Sequence, residues 1–423
     1  MRNIKEKRGI TLIALAVTIV VILILAGVTI DVTLGENGIL NKSKEVADRM
    51  NNMVKEDEAE LNELLNELNE TMDTNWNSNI EIPEENTVPE PDPEPEVPKI
   101  EDVTEIQEET IQVEDEYGNK VTIPKGFEVV EEEGTTVPEG IVVQDAIGNQ
   151  FVWIPVGRVY KDNTGTNYSD IQLGRYMFNR SNGTPTLVQA AYTEENPNNY
   201  EQIVTLESYY QEFATRSNPD GIASNGLDGL NAIAKNLGEF VNSVRENAGY
   251  YLARYEASYG DGTSYDNYKA ASKVSSGMYG MTKGYLVVAI SQINAAKMSR
   301  NMYNNENSVG VESDLASSYA WDTAIVFIQE MGNTNYANKT SVNTKITNTG
   351  TTMDKVCNIY DMASNIQEWT TEYSLSKTSS RAEAGVRRGG HVDISTYYVA
   401  NRHGQEVNNT GFIGSFRPIA YIK

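Results

Sequence analysis

Cysteine is almost absent from this 423-residue sequence, which contains only Cys357. No disulfide can form within the chain, so a disulfide framework does not stabilise the protein. Histidine is nearly as scarce, with His391 and His403 alone, too few for a usual zinc site unless carboxylates complete the shell. Asp393 and Glu406 are the nearest carboxylates, which leaves a metal hydrolase open as a third hypothesis. Solvent-exposed histidines on a loop are the simpler prediction.

Positive charge is also in short supply. The chain has 34 Lys and Arg against 60 Asp and Glu, a net charge of −26, so it repels nucleic acid and we expect no nucleic-acid partner. We find no nucleophile elbow, Walker loop or dinucleotide fingerprint. Tyrosine is abundant instead, with 24 residues against 8 Phe and 4 Trp. With Gly, Asn, Ser and Thr, this composition is typical of an adaptable hydrogen-bonding surface and favours a binding protein over an enzyme.

One long apolar run is present. Residues 1–9 are basic, and residues 10–30 carry no charge. As a helix this run would extend roughly 30 Å, the thickness of a bilayer core, with its basic flank in the cytoplasm. We predict a single-pass transmembrane helix over 10–34 that places the rest of the chain outside the cell. A signal peptide is disfavoured because the run is long and no small-x-small site follows promptly, but a plain signal anchor stays open.

The sequence KRGITLI at 7–13 resembles the leader of type IV prepilins, in which a peptidase cuts after the glycine and the new N-terminus is methylated. The resemblance implies cleavage between Gly9 and Ile10, and other pilin subunits as partners. Most pilins have glutamate where this chain has Ala14, and that glutamate is held to pair with a neighbour's terminal amine during assembly. Processing is therefore predicted, while polymerisation is left open.

Two further segments lie between the predicted transmembrane helix and the C-terminal part of the chain, which we call the head. Residues 36–74 are predicted as an amphipathic stalk helix, because apolar residues recur at three- and four-residue steps. These are Val46, Met50, Met53, Leu61, Leu64, Leu65, Leu68 and Met72. A pilin-type helix packed on its own head and a self-associating coiled coil both fit this stripe. Residues 75–110 form an acidic Pro/Glu spacer, whose PEPDPEPEVP run should stay extended and hold the head away from the membrane.

The remainder predicts an α+β fold. Alternating residues around Tyr117-Gly118 predict a small β-hairpin in 111–136, and a second hairpin at 142–155 opens a head over 137–423. A strand is expected at 250–258, and helices at 227–244, 291–303 and 317–331. Residues 156–235, rich in Asn, Tyr, Ser and Thr, are predicted as surface loops with one or two short helices.

The stretch NIYDMASNIQEW at 358–369 reads as a short strand, a polar loop and an apolar step that ends in tryptophan. Asp361 and Glu368 bracket the loop, and Ser364 and Asn365 lie inside it. Calcium prefers such a mixture of carboxylate and backbone carbonyl oxygens. A turn whose Asn and Ser bond their own backbone explains the pattern equally well.

This stretch resembles the YDMxGNxxEWT signature of formylglycine-generating-enzyme-like domains, also called sulfatase-modifying factors, which have a C-type-lectin-type fold. Further resemblances follow in the family's order across about 137–423. They are FVWIP at 151–155, GYYLARYE at 249–256, YAWDTA at 319–324, RRGG at 387–390 and GFIGSFRP at 411–418. The resemblance implies a C-type-lectin-like head.

The family's oxidase activity depends on a cysteine pair that binds copper just after the Gly-Gly step. Residues 389–399 contain no cysteine here, and Cys357 is expected to be a small buried residue. A single thiol cannot supply two thiolate ligands, so we expect neither copper nor formylglycine-generating activity.

The resemblance also implies a calcium site. In relatives that bind calcium, the side chains at the positions of Asp361 and Glu368 are ligands, as are backbone oxygens at the positions of Ser364 and Ile366. Calcium is therefore the predicted cofactor.

Residues 391–410 are predicted to form an exposed ligand-binding face. The resemblance implies a fold in which this segment lies on the binding side, and the segment combines tyrosine with small polar residues. The candidate contact residues are His391, Asp393, Tyr397, Tyr398, Asn401, Arg402 and His403. The segment also resembles the variable tail of lectin-fold proteins diversified by retroelements. A solvated loop with strand-bonded ends remains the alternative.

Together these features predict a non-catalytic, prepilin-like adhesion protein of the bacterial cell membrane. Its extracellular head would recognise an external protein or glycan, with display on a pilus left open. The alternative function is a pseudopilin or membrane-anchored scaffold of a secretion or DNA-uptake machine, in which the head docks on partner subunits.

Overall fold

The computed structural model describes residues 97–212, 237–304, 306–378, 381–382, 385–407, 409–410 and 413–423. The predictions for the leader, the 10–34 helix, the 36–74 stalk and the spacer as far as residue 96 lie outside the described residues. The prediction of an extended spacer is wrong for residues 97–110, because Ile100 and Val103 are buried in the core and Gln107 bonds to the backbone of Phe127. Within the described ranges, no helix combines the length and apolar character needed to cross a membrane.

Sheets with a few helices make up the described chain, and the α+β class is confirmed. Its helices are α1 Leu237–Asn247, α2 Gln292–Asn301 and α3 Ser318–Glu330. Its strands, in chain order, are β1 Ile111–Glu114, β2 Lys120–Ile123, β3 Phe127–Val129, β4 Val142–Asp145, β5 Gln150–Pro155, β6 Gly157–Tyr160, β7 Tyr168–Ile171, β8 Gly174–Phe178, β9 Pro185–Ala190, β10 Tyr210–Gln211, β11 Gly249–Ala253, β12 Ser258–Tyr259, β13 Ala270–Ala271, β14 Val311–Leu315, β15 Lys355–Val356, β16 Ile359–Tyr360, β17 Glu368–Ser374, β18 Lys377–Thr378, β19 Arg381–Ala382, β20 Gly385–Arg388, β21 Arg402–Gln405, β22 Ser415–Phe416 and β23 Pro418–Ile422.

The larger sheet is antiparallel and has six strands in the order β14-β23-β11-β5-β4-β3. Every residue of its central strands β11 and β23 is buried, because helices cover the sheet. Phe240 of α1 packs edge-on against Tyr250 of β11, with ring centroids 5.2 Å apart. The Tyr250 hydroxyl in turn donates to the carbonyl oxygen of Ala320 in α3, at 2.5 Å. The core therefore lies between this sheet and its helices.

A second sheet has the order β10-β17-β20-β21, with β22 parallel to β17. β17 is buried along its whole length, and its Trp369 donates through Nε1 to the carbonyl oxygen of Ile290, at 2.7 Å. The candidate face begins where β20 ends, because residues 389–401 connect β20 to β21.

The helices predicted at 291–303 and 317–331 are confirmed as α2 and α3. Each begins after a serine whose hydroxyl caps it: Ser291 accepts from Asn294 N and Ser317 from Ala320 N. α1 covers the C-terminal part of the helix predicted at 227–244. The strand predicted at 250–258 ends at Ala253. The carbonyl oxygen of Arg254 accepts from Tyr360 N of β16, and Ser258 belongs to the separate strand β12.

The prediction of surface loops over 156–235 is wrong for residues 157–190, where two hairpins form, β6–β7 and β8–β9. Between β9 and β10 the chain is loop with one short helix, Asn199–Glu201, as predicted. In β7 exposed and buried residues alternate, and Ile171 reaches the core. The pattern is concealed in the sequence because the buried position before Ile171 is occupied by a polar residue, Ser169, between the exposed Tyr168 and Asp170.

Both predicted hairpins are confirmed, and their turns have the same hydrogen-bond pattern. Asp115 accepts from Asn119 N and Nδ2 at 2.8 and 2.9 Å, and Asp145 accepts from Asn149 N and Nδ2 at 2.8 Å each. The turns DEYGN and DAIGN therefore have the same hydrogen bonds. The predicted division at residue 137 does not separate two sheets, since β3 from the first segment pairs with β4.

Candidate functional site

The loop between β20 and β21 leaves the second sheet from a closely fitted base. A Cβ at Gly390 would overlap the carbonyl of Ala363, so only glycine lets the loop approach the 361–366 turn this closely. Asp393, Ile394, Ser395 and Thr396 form the exposed tip, and Ile394 is 36% exposed despite its apolar side chain. The loop thus changes from buried to exposed within a few residues.

A buried ionic cluster holds the two ends of this loop. Arg388 and Arg402 lie opposite each other at the ends of β20 and β21. Arg388 pairs with Asp322 at 2.5 Å and Glu372 at 3.2 Å, and Arg402 pairs with the same carboxylates at 2.5 and 2.8 Å. Arg175 adds a further pair with Glu372, at 3.1 Å.

Charge in this cluster is shared by three guanidiniums and two carboxylates. Burial alone raises the pKa of Glu372, but Arg402, Arg388 and Arg175 together lower it to about 2. Since breaking a buried pair leaves an uncompensated charge, both loop ends are tied firmly to α3 and β17. Arg402, a predicted contact residue, is buried in this base and is not on the binding face.

Among the other predicted contact residues, Asp393 is exposed, and Tyr397, Tyr398, Asn401 and His403 are half-buried. Tyr397 and His403 are half-buried against each other, with the tyrosine hydroxyl 3.1 Å from Nδ1 of the imidazole. The ring of Tyr398 stacks beneath the guanidinium of Arg180, at 3.3 Å from its centroid. Asn401 is half-buried, and its N–H donates to the carbonyl of Tyr398 at 2.8 Å. The face is therefore a set of preorganised aromatic groups beside a polar tip.

The prediction of solvent-exposed histidines on a loop is wrong. His391 is 8% exposed and its Nδ1 accepts from Asp393 N, at 3.1 Å, while His403 belongs to β21. Burial, with a smaller contribution from the charge of Arg387, lowers the pKa of His403 to about 4. Burial also lowers the pKa of His391. Both imidazoles are therefore neutral at physiological pH.

The signature loop brings its predicted residues together, and its carboxylates have protein partners. Asp361 accepts from Thr349 Oγ1 at 3.2 Å, from Gly350 N at 3.0 Å and from Thr352 Oγ1. Glu368 forms a two-point pair with Arg417, at 2.6 Å to Nη2 and 3.0 Å to Nε. The backbone of Ser364 and Ile366 lies between them, and the Ile366 N–H donates to Glu256, at 3.2 Å.

Both carboxylates of the predicted calcium site are thus already engaged with protein groups. In the described chain no three His, Cys, Asp or Glu residues form a group that could hold a metal ion. Both oxygens of Glu368 are held by Arg417, so a cation would have to displace this guanidinium. Calcium binding stays a prediction that depends on such an exchange.

Glu256 completes a second buried cluster that sequence reasoning missed. Its carboxylate accepts from Asn365 Nδ2 at 2.5 Å and lies near Asp361 and Glu368. Burial, reinforced by these two acids, raises the pKa of Glu256 well above its usual value, and burial raises the pKa of Glu368 to about 7. Three acids thus surround one arginine. The YE of GYYLARYE was the only sequence signal, since it belongs to the family resemblance.

Neighbouring loops add exposed apolar residues that were not predicted. A small cluster of Leu286, Ile346 and Ile366 joins the loops around 278, 346 and 392, since Met278 and Val392 pack against it. The exposed side chains nearby in sequence are Tyr279, Met281, Val342 and Ile394. Apolar residues inside polar loops were the available signal.

No protein-family model, curated protein or solved structure matches this chain. The site itself carries the functional inference.

Cys357 does not have the environment of a nucleophile. Burial raises the pKa of its thiol to about 12, whereas reactive cysteines have a lowered pKa. The buried ionic cluster at the base of the β20–β21 loop is suited to holding the exposed tip of that loop in one conformation.

Proposed function

We propose that this chain is a non-catalytic binding protein whose 391–410 face contacts an external ligand. The observation that carries the proposal is the contrast within one loop. Arg388 and Arg402 are locked in a buried ionic cluster at its ends, while Asp393 to Thr396 are exposed at its tip. Recognition loops on rigid scaffolds have this organisation, because a preorganised loop loses less entropy on binding.

The proposed fold of the head is C-type-lectin-type. Its support is that separate matching segments meet in the core: Arg417 of GFIGSFRP pairs with Glu368 of the signature, and Glu256 of GYYLARYE bonds Asn365. The high pKa of Cys357 and the lack of cysteine in residues 389–399 support a role without catalysis.

Display outside the cell rests on the N-terminal sequence. In this proposal the KRGITLI leader is cut between Gly9 and Ile10, the 10–34 helix anchors the chain, and the spacer holds the head away from the membrane. Other pilin subunits are proposed partners. A binding protein whose residues 391–410 are diversified by a retroelement is kept as an alternative.

One observation supports the alternative function, a pseudopilin or membrane-anchored scaffold. Exposed Tyr279, Met281, Val342 and Ile394 give the loops an apolar component, which is characteristic of protein partners. Machine subunits recovered with the chain would favour the pseudopilin or scaffold role, and foreign proteins, cells or glycans would favour adhesion.

The test compares the displayed full-length chain with a tip variant, Asp393→Ala/Ile394→Ser/Thr396→Ala, in cell-surface binding assays. These side chains are exposed, so the variant should fold normally while binding falls about tenfold or more. Ile203→Ser, at a 57% exposed residue outside these loops, is the matched control. Equal binding by the tip variant and the wild type would overturn the proposal.

A further inference from the structure

A cavity of about 760 Å³ lies outside the proposed binding face. Its walls come from the β4–β5 turn, from β12 and β13, and from the segments around Tyr303 and Val309. None of the predicted contact residues lines it. Its volume falls in the range of small-molecule sites, about 300–1,000 Å³.

The interior of this cavity is largely apolar. It is lined by Tyr259, Ala270, Ala271, Met302 and Val309. Two isoleucines add to the apolar lining, and both are unusually accessible: Ile106 is 38% exposed and Ile147 is 65% exposed. An apolar ligand body would cover surface that now faces water.

Lysine side chains contribute the positive charge of the lining. Lys283 pairs with Asp261 and Lys269 with Glu306, each at 2.5 Å, but these four side chains are 37–69% exposed. Such exposed pairs contribute little and exchange partners readily. Lys273 donates to the carbonyl of Ile147, and no described carboxylate lies within ion-pair distance of it.

Lys269, Lys273 and Lys283 lie close enough together to affect the same carboxylate, Asp261. The pKa of Asp261 is lowered first by its hydrogen bond with Lys283, and the charges of Lys269 and Lys273 lower it further. Asp145, the buried acid of the wall, is already committed to the Tyr303 hydroxyl at 2.7 Å and to the N–H groups of its own turn. Asp261 and Glu306 line the cavity together with the three lysines, so an anionic head group would replace these exposed acids as the partner of Lys269 and Lys283.

We propose that this cavity binds a small amphipathic anion, with its apolar body inside and its carboxylate or phosphate head at Lys273, Lys269 and Lys283. The site is separate from the 391–410 face and does not depend on the function proposed for that face. Lysine suits either head group, because it acts as a compact point charge with three donors.

The test uses the full-length chain in lipid nanodiscs, with empty nanodiscs subtracted as background. The probes are 4-phenylbutanoate, 4-phenylbutyl phosphate and the neutral 4-phenylbutan-1-ol, titrated by ligand-observed NMR. At least one anion should bind saturably and at least tenfold more tightly than the alcohol. Whichever anion binds more tightly identifies the head group.

Site-directed variants locate the binding. Lys273→Gln should weaken anion binding about tenfold, since a hydrogen bond to a charged group is lost. Lys297→Gln is the matched control, a surface lysine paired with Asp266 that does not line the cavity. Bound anion should also protect Lys269, Lys273 and Lys283 from amine acylation, measured by mass spectrometry. Absence of saturable binding, equal binding of the alcohol, or unchanged binding by Lys273→Gln would each overturn the proposal.

Discussion

At the scale of single residues, buried ion pairs hold the candidate face in place. Asp322 pairs with two guanidiniums and Glu372 with three, and all of these groups are essentially inaccessible to solvent. A residue such as Arg402 therefore contributes to the position of the loop and not to its surface chemistry.

Arg402→Gln should lower the free energy of unfolding by about 3–5 kcal/mol, because Asp322 and Glu372 would lose a buried partner. The control is Arg158→Gln, whose pair with Asp170 is 50% and 64% exposed and is therefore expected to contribute little to stability. Urea unfolding of both variants measures the difference. Equal midpoints for the two variants would show that the cluster is not a major source of stability.

His403 gives a pH dependence whose sign follows from its pKa. The folded pKa is about 4, while an unfolded histidine titrates near 6.5, so the unfolded chain binds more protons between these values. The stability that neutral His403 gives the folded state is fully present above about pH 6.5 and is lost as pH falls towards 4. Discounted for solvent screening of this half-buried ring, the loss is on the order of 2 kcal/mol.

His403→Asn should remove that part of the acid destabilisation. The Tm difference between variant and wild type should therefore shift in the variant's favour from pH 7.5 to pH 4.5. Thermal unfolding at both pH values measures it, and the pH 7.5 value corrects for the lost contact with Tyr397. A difference that does not change with pH would contradict the lowered pKa.

At the scale of elements, the duplicated hairpin turn connects each hairpin to a distant strand or segment. The Asn119 side chain donates to Tyr160 O at 2.8 Å and accepts from Tyr160 N at 2.7 Å, and Asn149 accepts from Ser272 N at 3.1 Å. The two asparagines therefore fasten the hairpins to the rest of the head.

Asn119→Ala and Asn149→Ala should each lower the free energy of unfolding by about 1–3 kcal/mol, because buried partners lose their hydrogen bonds. Glu116→Ala, at an exposed residue of the first turn, is the control and should change stability by less than about 0.5 kcal/mol. Chemical denaturation measures all three variants. Similar values for Asn119→Ala and Glu116→Ala would mean that the turn does not anchor the hairpin.

Calcium binding at the signature loop would raise the Tm of the head, since a ligand that binds only the folded state stabilises it. Asp361→Asn should remove that increase. Thermal unfolding with calcium and with a chelator measures both effects. If Arg417 keeps Glu368, calcium leaves the wild-type Tm unchanged, and the prediction of a calcium cofactor is then wrong.

At the scale of the whole molecule, the role of the head depends on how the N-terminal segment is processed. The prepilin resemblance predicts a mature chain that begins with methylated Ile10, in membranes and in sheared surface material. Mass spectrometry of the N-terminal peptide from both fractions measures this. An intact Met1 start confined to membranes would indicate a plain signal anchor, and the head would then need another explanation.

Much of the local structure could be predicted from the sequence. The two hairpins follow from alternating residues around Gly-Asn turns, and α2 and α3 follow from apolar periodicity. These signals are short-range, so nearby residues suffice to determine them. Hairpins β6–β7 and β8–β9 were missed because their exposed positions carry loop-like residues.

Only the tertiary structure decided which polar residues are buried and which form the surface. Arg402 finds Asp322 80 residues earlier in the chain, and Glu256 finds Asn365 109 residues later. A charged side chain is stable in a core only when such a distant partner is in place, and the sequence does not show that partner. The sequence therefore determined the hairpins, two of the helices and the polar composition of the 391–410 segment, while folding determined that its tip is exposed and its base is locked.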